Sequence, residues 1–183
     1  MTNTRDISKN KNFKTLDKKI YFKENFISQK DYKELLNETK SLSEEDWFTH
    51  PTGENLYGKV SINLNRIAIV GHQLIDLIIP EYWINDHRTV NRMSADFGPV
   101  EFGWEEWSSA DFVAIYYYGE WSGGNLKCYL EKNAEPVILN VKKNVMYLLP
   151  IKNNEKYISE SVLDGTKYAF CDWVYKHSGW ALG

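Results

Sequence analysis

Between residues 89 and 175 the chain carries eight short apolar runs, at 89–93, 100–104, 112–118, 125–130, 136–141, 144–149, 156–162 and 167–175, parted by Gly, Pro, Asn and Asp. Runs this short and this closely spaced predict the strands of a sandwich or barrel. The third run constrains the fold most. Phe112, Ala114, Tyr116 and Tyr118 share one face of that strand, and Val113, Ile115 and Tyr117 share the other, so both faces are apolar or aromatic. A strand of this kind is covered on both sides or lines an enclosed interior; it does not belong at a sheet edge.

Two helical patterns precede the strands. Ser28-Gln29-Lys30-Asp31 is a capping start for a helix with the apolar face Tyr32, Leu35 and Leu36, ending near Ser41. Ile67, Val70, Gly71, Leu74, Leu77 and Ile78 recur at spacings of three and four, and the pattern stops before Pro80. Ile20, Phe22 and Phe26 suggest a strand ahead of the first helix, and 49–58 reads as a surface loop. Helices first and strands after predict an α+β, mainly β chain: a double-stranded β-helix (jelly roll) flanked by N-terminal helices. Residues 17–183 form a single domain in this reading, and residues 1–16, polar and aperiodic, a flexible N-terminal arm.

Composition excludes several classes of function. A formal charge of −3 and a pI near 5.8 leave no basic field for nucleic acid. The longest apolar stretch, 67–80, is broken by Gly71, His72, Gln73 and Asp76, so no membrane span is expected. The start of the chain has no apolar run like that of a signal peptide, which sets the expected location as cytoplasmic or in a virion. Cys128 and Cys171 lie within strand runs among apolar neighbours and read as buried free thiols. No phosphate-binding glycine loop, nucleophile elbow or cysteine beside a base is present.

The strand Val113-Ala114-Ile115-Tyr116-Tyr117-Tyr118, the turn Trp121-Ser122-Gly123-Gly124-Asn125-Leu126, and Gly165-Thr166-Lys167-Tyr168 followed by Trp173 resemble the iron(II)/2-oxoglutarate-dependent oxygenases of the prolyl 4-hydroxylase branch. The resemblance runs from about residue 18 to residue 175. It implies the jelly-roll fold, iron(II) and 2-oxoglutarate as cofactors, and a basic residue two after the closing glycine that pairs with the far carboxylate of the co-substrate. Lys167 stands at that place, and Tyr116 is its expected companion in holding a 2-oxoglutarate-like anion.

The metal ligands do not carry over. The family binds iron through a His-x-Asp pair and one distant His; the corresponding positions here are Glu105, Trp107 and Tyr157. Indole cannot ligate iron, and a phenol with a lone carboxylate does not reproduce the facial triad of two His and one carboxylate. The histidines are His50, His72, His87 and His177, none of them between residues 87 and 177. A hard-cation site made of Glu101, Glu105, Glu106 and Glu160 is the weaker alternative to solvated surface acids, because alternation sends Glu105 and Glu106 to opposite faces. The sequence therefore predicts an oxygenase-fold protein without a catalytic residue, metal or cofactor. It would act as a binding or structural module with a protein partner or a second copy of itself, as in a larger viral assembly, and a small carboxylate is its expected ligand. An active, divergent hydroxylase is the alternative.

Overall fold

The computed structural model describes residues 7, 10–17, 19–49, 59–78, 82–84, 89–95, 98–103, 110–153 and 155–176. Two strands, β1 (Lys14–Leu16) and β2 (Ile20–Glu24), lead into helix α1 (Gln29–Ser41). Ser28 caps α1 as its sequence foretells, its hydroxyl accepting from the Asp31 backbone N–H at 3.1 Å. A 3-10 turn at Glu44–Asp46 and the short strands β3 (Phe48–Thr49) and β4 (Lys59–Ser61) follow. Helix α2 (Ile67–Ile78) then buries Ile67, Val70, Gly71, Leu74 and Ile78, the spacing read from the sequence. Its first turn is capped from outside. The Glu38 carboxylate accepts from the N–H groups of Asn65 and Arg66 at 2.9 and 2.8 Å, which ties α1 to α2.

The remaining strands are β5 (Tyr82–Ile84), β6 (Val90–Ser94), β7 (Val100–Gly103), β8 (Phe112–Gly123), β9 (Leu126–Tyr129), β10 (Val137–Leu139), β11 (Val145–Pro150), β12 (Lys156–Ser159) and β13 (Val162–Lys176). Among the described residues they pair, all antiparallel, into two sheets. The larger follows the order β1-β2-β11-β8-β13-β6-β4-β3, with β5 on the far end of β13; the smaller is β10-β9-β12-β7. These are the two leaves of a jelly roll, as the sequence predicts, and each of the eight predicted runs has its strand.

The two-faced strand explains the layering. Ala114, Tyr116 and Tyr118 join one core with α1, α2, Met146, Leu148, Tyr168 and Phe170. Val113, Ile115 and Tyr117 join a second core, between the leaves, with Leu126, Cys128, Tyr147, Tyr157 and Ala169. One buried asparagine pins the helical layer to the sheet. Asn144, at φ +57°, accepts at Oδ1 from the Ile27 N–H (3.1 Å) and the Tyr116 hydroxyl (3.0 Å), and donates through Nδ2 to the Ile27 carbonyl (3.0 Å). Tyr32 makes a second latch: its hydroxyl donates to the carbonyl of Gly119 and accepts from the Gly119 N–H, both at 3.2 Å.

Of the expected flexible arm over 1–16, residues 1–6, 8 and 9 lie outside the described residues, and residues 7 and 10–16 are held in place. Ile7 and Phe13 are 4% and 8% exposed within the helix-side core, Asn10 donates to the Leu77 carbonyl at 2.8 Å, and Lys14–Leu16 pairs with β2. Two well-separated apolar side chains suffice to dock a polar segment, a signal too sparse for periodicity to register. Of the expected loop over 49–58, all but residue 49 lies outside the described residues.

Replacing Asn144 tests the pin. Asn144→Ala removes three buried hydrogen bonds and places a Cβ-bearing residue with no local hydrogen bond at positive φ, so a loss of about 2–4 kcal/mol in urea unfolding is expected. Asn144→Gly, which tolerates that φ, should lose less.

Candidate functional site

The site is the interior between the leaves, around the buried side chain of Lys167. On β13 the odd-numbered residues point between the leaves, and Lys167 pairs with Gly119 of β8 two residues before the inward Ala169. The side chain is fully buried. Its ammonium donates to the carbonyl of Gly124 at 2.8 Å and to Ser159 Oγ at 2.9 Å, and lies 5.2 Å from the centre of the Tyr117 ring. These partners come from β12, from the turn between β8 and β9, and from the middle of β8, so a single amine joins both leaves. No carboxylate among the described residues pairs with it. Burial without a counter-charge favours the neutral amine, and the Lys167 pKa is lowered from 10.5 to about 8.

Gly124 is shaped for this contact. It sits at φ +64°, and a Cβ there would come 2.9 Å from Lys167 Nζ, so any side chain would compete with the ammonium for its place. The paired glycines read from the sequence as a tight turn have this second, steric role. The other titratable neighbours stay neutral: burial raises the Tyr117 phenol well above its ordinary value and pushes the Cys128 and Cys171 thiols up to about 12. Both thiols are free, as expected.

Tyr157, the residue the sequence reading sets against the distal ligand, is fully buried on β12, in register with Cys128 of β9 and Phe102 of β7. Its ring stacks on Phe102 with centroids 5.4 Å apart, and its hydroxyl donates to the Pro150 carbonyl. Burial pushes this phenol well above its usual value, so it is a committed hydrogen-bond donor and a poor source of phenolate. The residues described here do not fit iron, since the inward donors are an amine, alcohols, phenols and high-pKa thiols. Among the described residues no group of three or more His, Cys, Asp or Glu comes together.

Tyr116 is corrected as a companion of Lys167. It faces the helical core, where its ring lies 5.7 Å from Phe26 and 5.9 Å from Tyr118 and its hydroxyl is held by Asn144. The strand pleat places neighbouring residues on opposite faces, and the tyrosine on the Lys167 side is Tyr117. Glu105 and Trp107 lie outside the described residues, as do His50, His87 and His177. His72 is exposed on α2. Glu101 and Glu160 each meet a lysine on the adjacent strand, Glu101 with Lys156 at 2.7 Å and Glu160 with Lys127 at 2.8 Å, as solvated surface acids do, and Glu106 with Glu105 lies outside the described residues.

Sequence reasoning missed Ser159 and Tyr117. Both carry a signal: Ser159 stands two residues after Tyr157 and so shares its face, and Tyr117 is the inward tyrosine of the run 116–118. Two surface clefts, of about 430 and 410 Å³, are lined by other residues, and Lys167 is enclosed.

No protein-family model matches the sequence, and no curated protein matches it. Solved structures do match the fold. A prolyl hydroxylase from Trichoplax adhaerens, solved with a peptide of the hypoxia-inducible factor oxygen degradation domain, superposes with a TM-score of 0.67 at 15% identity over 85% of this chain and 83% of that one. A prolyl 4-hydroxylase from Pseudomonas putida gives 0.64 at 9% identity over 87% and 93%. One from Phytophthora capsici gives 0.62 at 13% identity over 87% of this chain and 59% of that one. At these identities the likeness is one of fold: the chain has the jelly roll of the prolyl hydroxylases.

The buried amine predicts a pH signature. Between about pH 8 and the unfolded-state value near 10.4 the unfolded chain binds more protons at this lysine than the folded one, so stability contributed here rises with pH across that window. Below it the full desolvation penalty is present. Wild type should therefore gain on Lys167→Met as pH climbs through the window in paired urea titrations, while the tyrosine and cysteine contributions, common to both proteins, cancel.

Proposed function

We propose that this chain is a non-catalytic module on the oxygenase jelly roll, working without iron and holding a small carboxylate on Lys167. The observation that carries the reading is the buried ammonium, enclosed by a carbonyl, a hydroxyl and an aromatic ring with no anion among the described residues. A charge in such a place gains most from an anionic ligand. Tyr157 supports the iron-free half of the proposal, because its hydroxyl is spent on Pro150 and its ring on Phe102. Lys167 corresponds to the co-substrate anchor of the similar oxygenases, so one half of the ancestral equipment is kept and the metal half is replaced. Ile138 and Leu163, 53% and 75% exposed, offer apolar contacts to a partner chain or a second copy.

The test has two arms. Iron(II) added under anaerobic conditions should not bind stoichiometrically, and 2-oxoglutarate should not be turned over in air. Small carboxylates should raise the melting temperature without metal, and Lys167→Met should abolish that shift. Stoichiometric iron with 2-oxoglutarate turnover would establish an active, divergent hydroxylase instead.

A further inference from the structure

We infer that the strap formed by Ile7 and residues 10–16 exchanges between two copies of this chain, each copy inserting its strap into the other. The inference takes up the binding-module reading and names the partner, a second copy, and the surface that receives it.

The strap is held by contacts that a second copy can reproduce in full. Ile7 and Phe13 enter the helix-side core, the Asn10 amide donates to the Leu77 carbonyl at 2.8 Å, β1 pairs with β2, and Lys14 meets Glu24 at 2.6 Å. All of these join the strap to the body behind it, so a strap arriving from a partner makes the same set. Exchange leaves their sum unchanged. The closed and exchanged forms therefore differ only in the turn between Leu16 and Ile20 and in the entropy of association.

The turn favours opening. Asp17 stands there at φ +51°, a conformation costly for a residue that bears a Cβ, and it is exposed, with no ion pair among the described residues. One backbone bond closes the turn, from the Lys19 N–H to the Leu16 carbonyl at 3.3 Å. Short hinges under strain are where elements exchange. The Lys19 side chain stays with the body, donating to the Leu130 carbonyl at 3.3 Å and to the Glu131 carboxylate at 2.9 Å, and so fixes where the hinge ends.

The register shows what an open hinge gains. Lys14 pairs with Phe22, Thr15 with Tyr21 and Leu16 with Ile20. Straightened, β1 and β2 become one strand from Lys14 to Glu24, and two such strands about a two-fold axis at residue 18 keep every one of these pairs. Carried through the centre, the same register sets Asp17 opposite the partner's Lys19, and Lys19 opposite the partner's Asp17. Two cross-strand ion pairs appear that the closed turn lacks. Lys18 falls opposite its own copy, a repulsion that opposes the exchange. A ribbon from Lys14 to Glu24 is about 35 Å long, so the two bodies stand clear of one another.

The full chain, refolded from urea at concentrations from about 10 µM to about 1 mM, tests the exchange by size-exclusion chromatography with light scattering, because the dimer must grow with concentration. Lys18→Thr should raise the dimer fraction at least about threefold by removing the like charges, and Asp17→Gly should lower it by a similar factor, since glycine accepts the closed turn and brings no carboxylate. Both variants leave the anchors of the strap intact. A second measurement locates the contact: Lys14→Cys with Phe22→Cys in one chain sets two cysteines directly across β1 and β2. After oxidation the disulfide should lie within the chain in the monomer peak and between chains in the dimer peak, as non-reducing electrophoresis distinguishes. A chain that stays monomeric at the highest concentration, a dimer whose disulfides remain within each chain, or turn variants that leave the dimer fraction unchanged or move it the opposite way would each overturn the inference. The iron and carboxylate titrations turn on Lys167 and the interior, so their outcome is independent of this one.

Discussion

One alternation organises this molecule. Along β8 and β13, the odd-numbered residues from 113 to 117 and from 167 to 173 face the space between the leaves, and the even-numbered residues from 114 to 118, with Tyr168, Phe170 and Val174, face the helices. Slipping either strand by a single residue would exchange the two sets, putting Lys167 against α1 and Tyr168 in the interior. Register is held by features that cannot slip. Tyr32 grips both polar groups of Gly119, Asn144 grips Tyr116 and Ile27, and the long β8–β13 pairing runs from Val174↔Phe112 to the bulge near Val162 and Asp164. The chemical character of the interior is thus a consequence of a few hydrogen bonds made on the opposite side of the sheet.

Much of this architecture was legible in the sequence because it rests on periodicity. Strand β8 declared itself by being apolar on both faces, α2 by its spacing of three and four, and α1 by its cap. Lys167 was found through a glycine two residues earlier, and its inward direction depended on register, which a strand run alone does not specify. Tyr116 and Tyr117 show the limit sharply. Adjacent tyrosines in one strand are indistinguishable in composition, and choosing the inward one requires a fixed point such as Ala169 or Gly119. Ser159 was hidden for a related reason: a serine in a strand is ordinary until its face is known. The docking of Ile7 and Phe13 was illegible because two apolar residues in a polar segment carry no period.

The aromatic content of the interior bears on what the fold has become. Tyr157 and Phe102 stack across β12 and β7, and Tyr117 meets Tyr147 edge to face at 5.9 Å. Such contacts contribute about 0.5–1.5 kcal/mol each beyond the area they bury. Tyr157 therefore contributes packing: a ring stacked on Phe102 with its hydroxyl on Pro150 has no free donor to turn inward. These rings fill the space between the leaves with a core that stabilises the contact of the two sheets.

Lys167 runs against that trend. In a filled interior an aliphatic side chain would serve folding better, since a buried ammonium carries an effective penalty of several kcal/mol that its hydrogen bonds and ring contact offset only in part. The direction of its pKa shift records the shortfall: the desolvation of the charge exceeds what the Gly124 carbonyl, the Ser159 hydroxyl and the Tyr117 ring return. Gly124 adds a second cost, a flexible residue held at positive φ whose absent side chain makes room for the amine. Two residues that lower stability in order to place one positive charge inside a sheet sandwich are economical only if that charge meets a negative one.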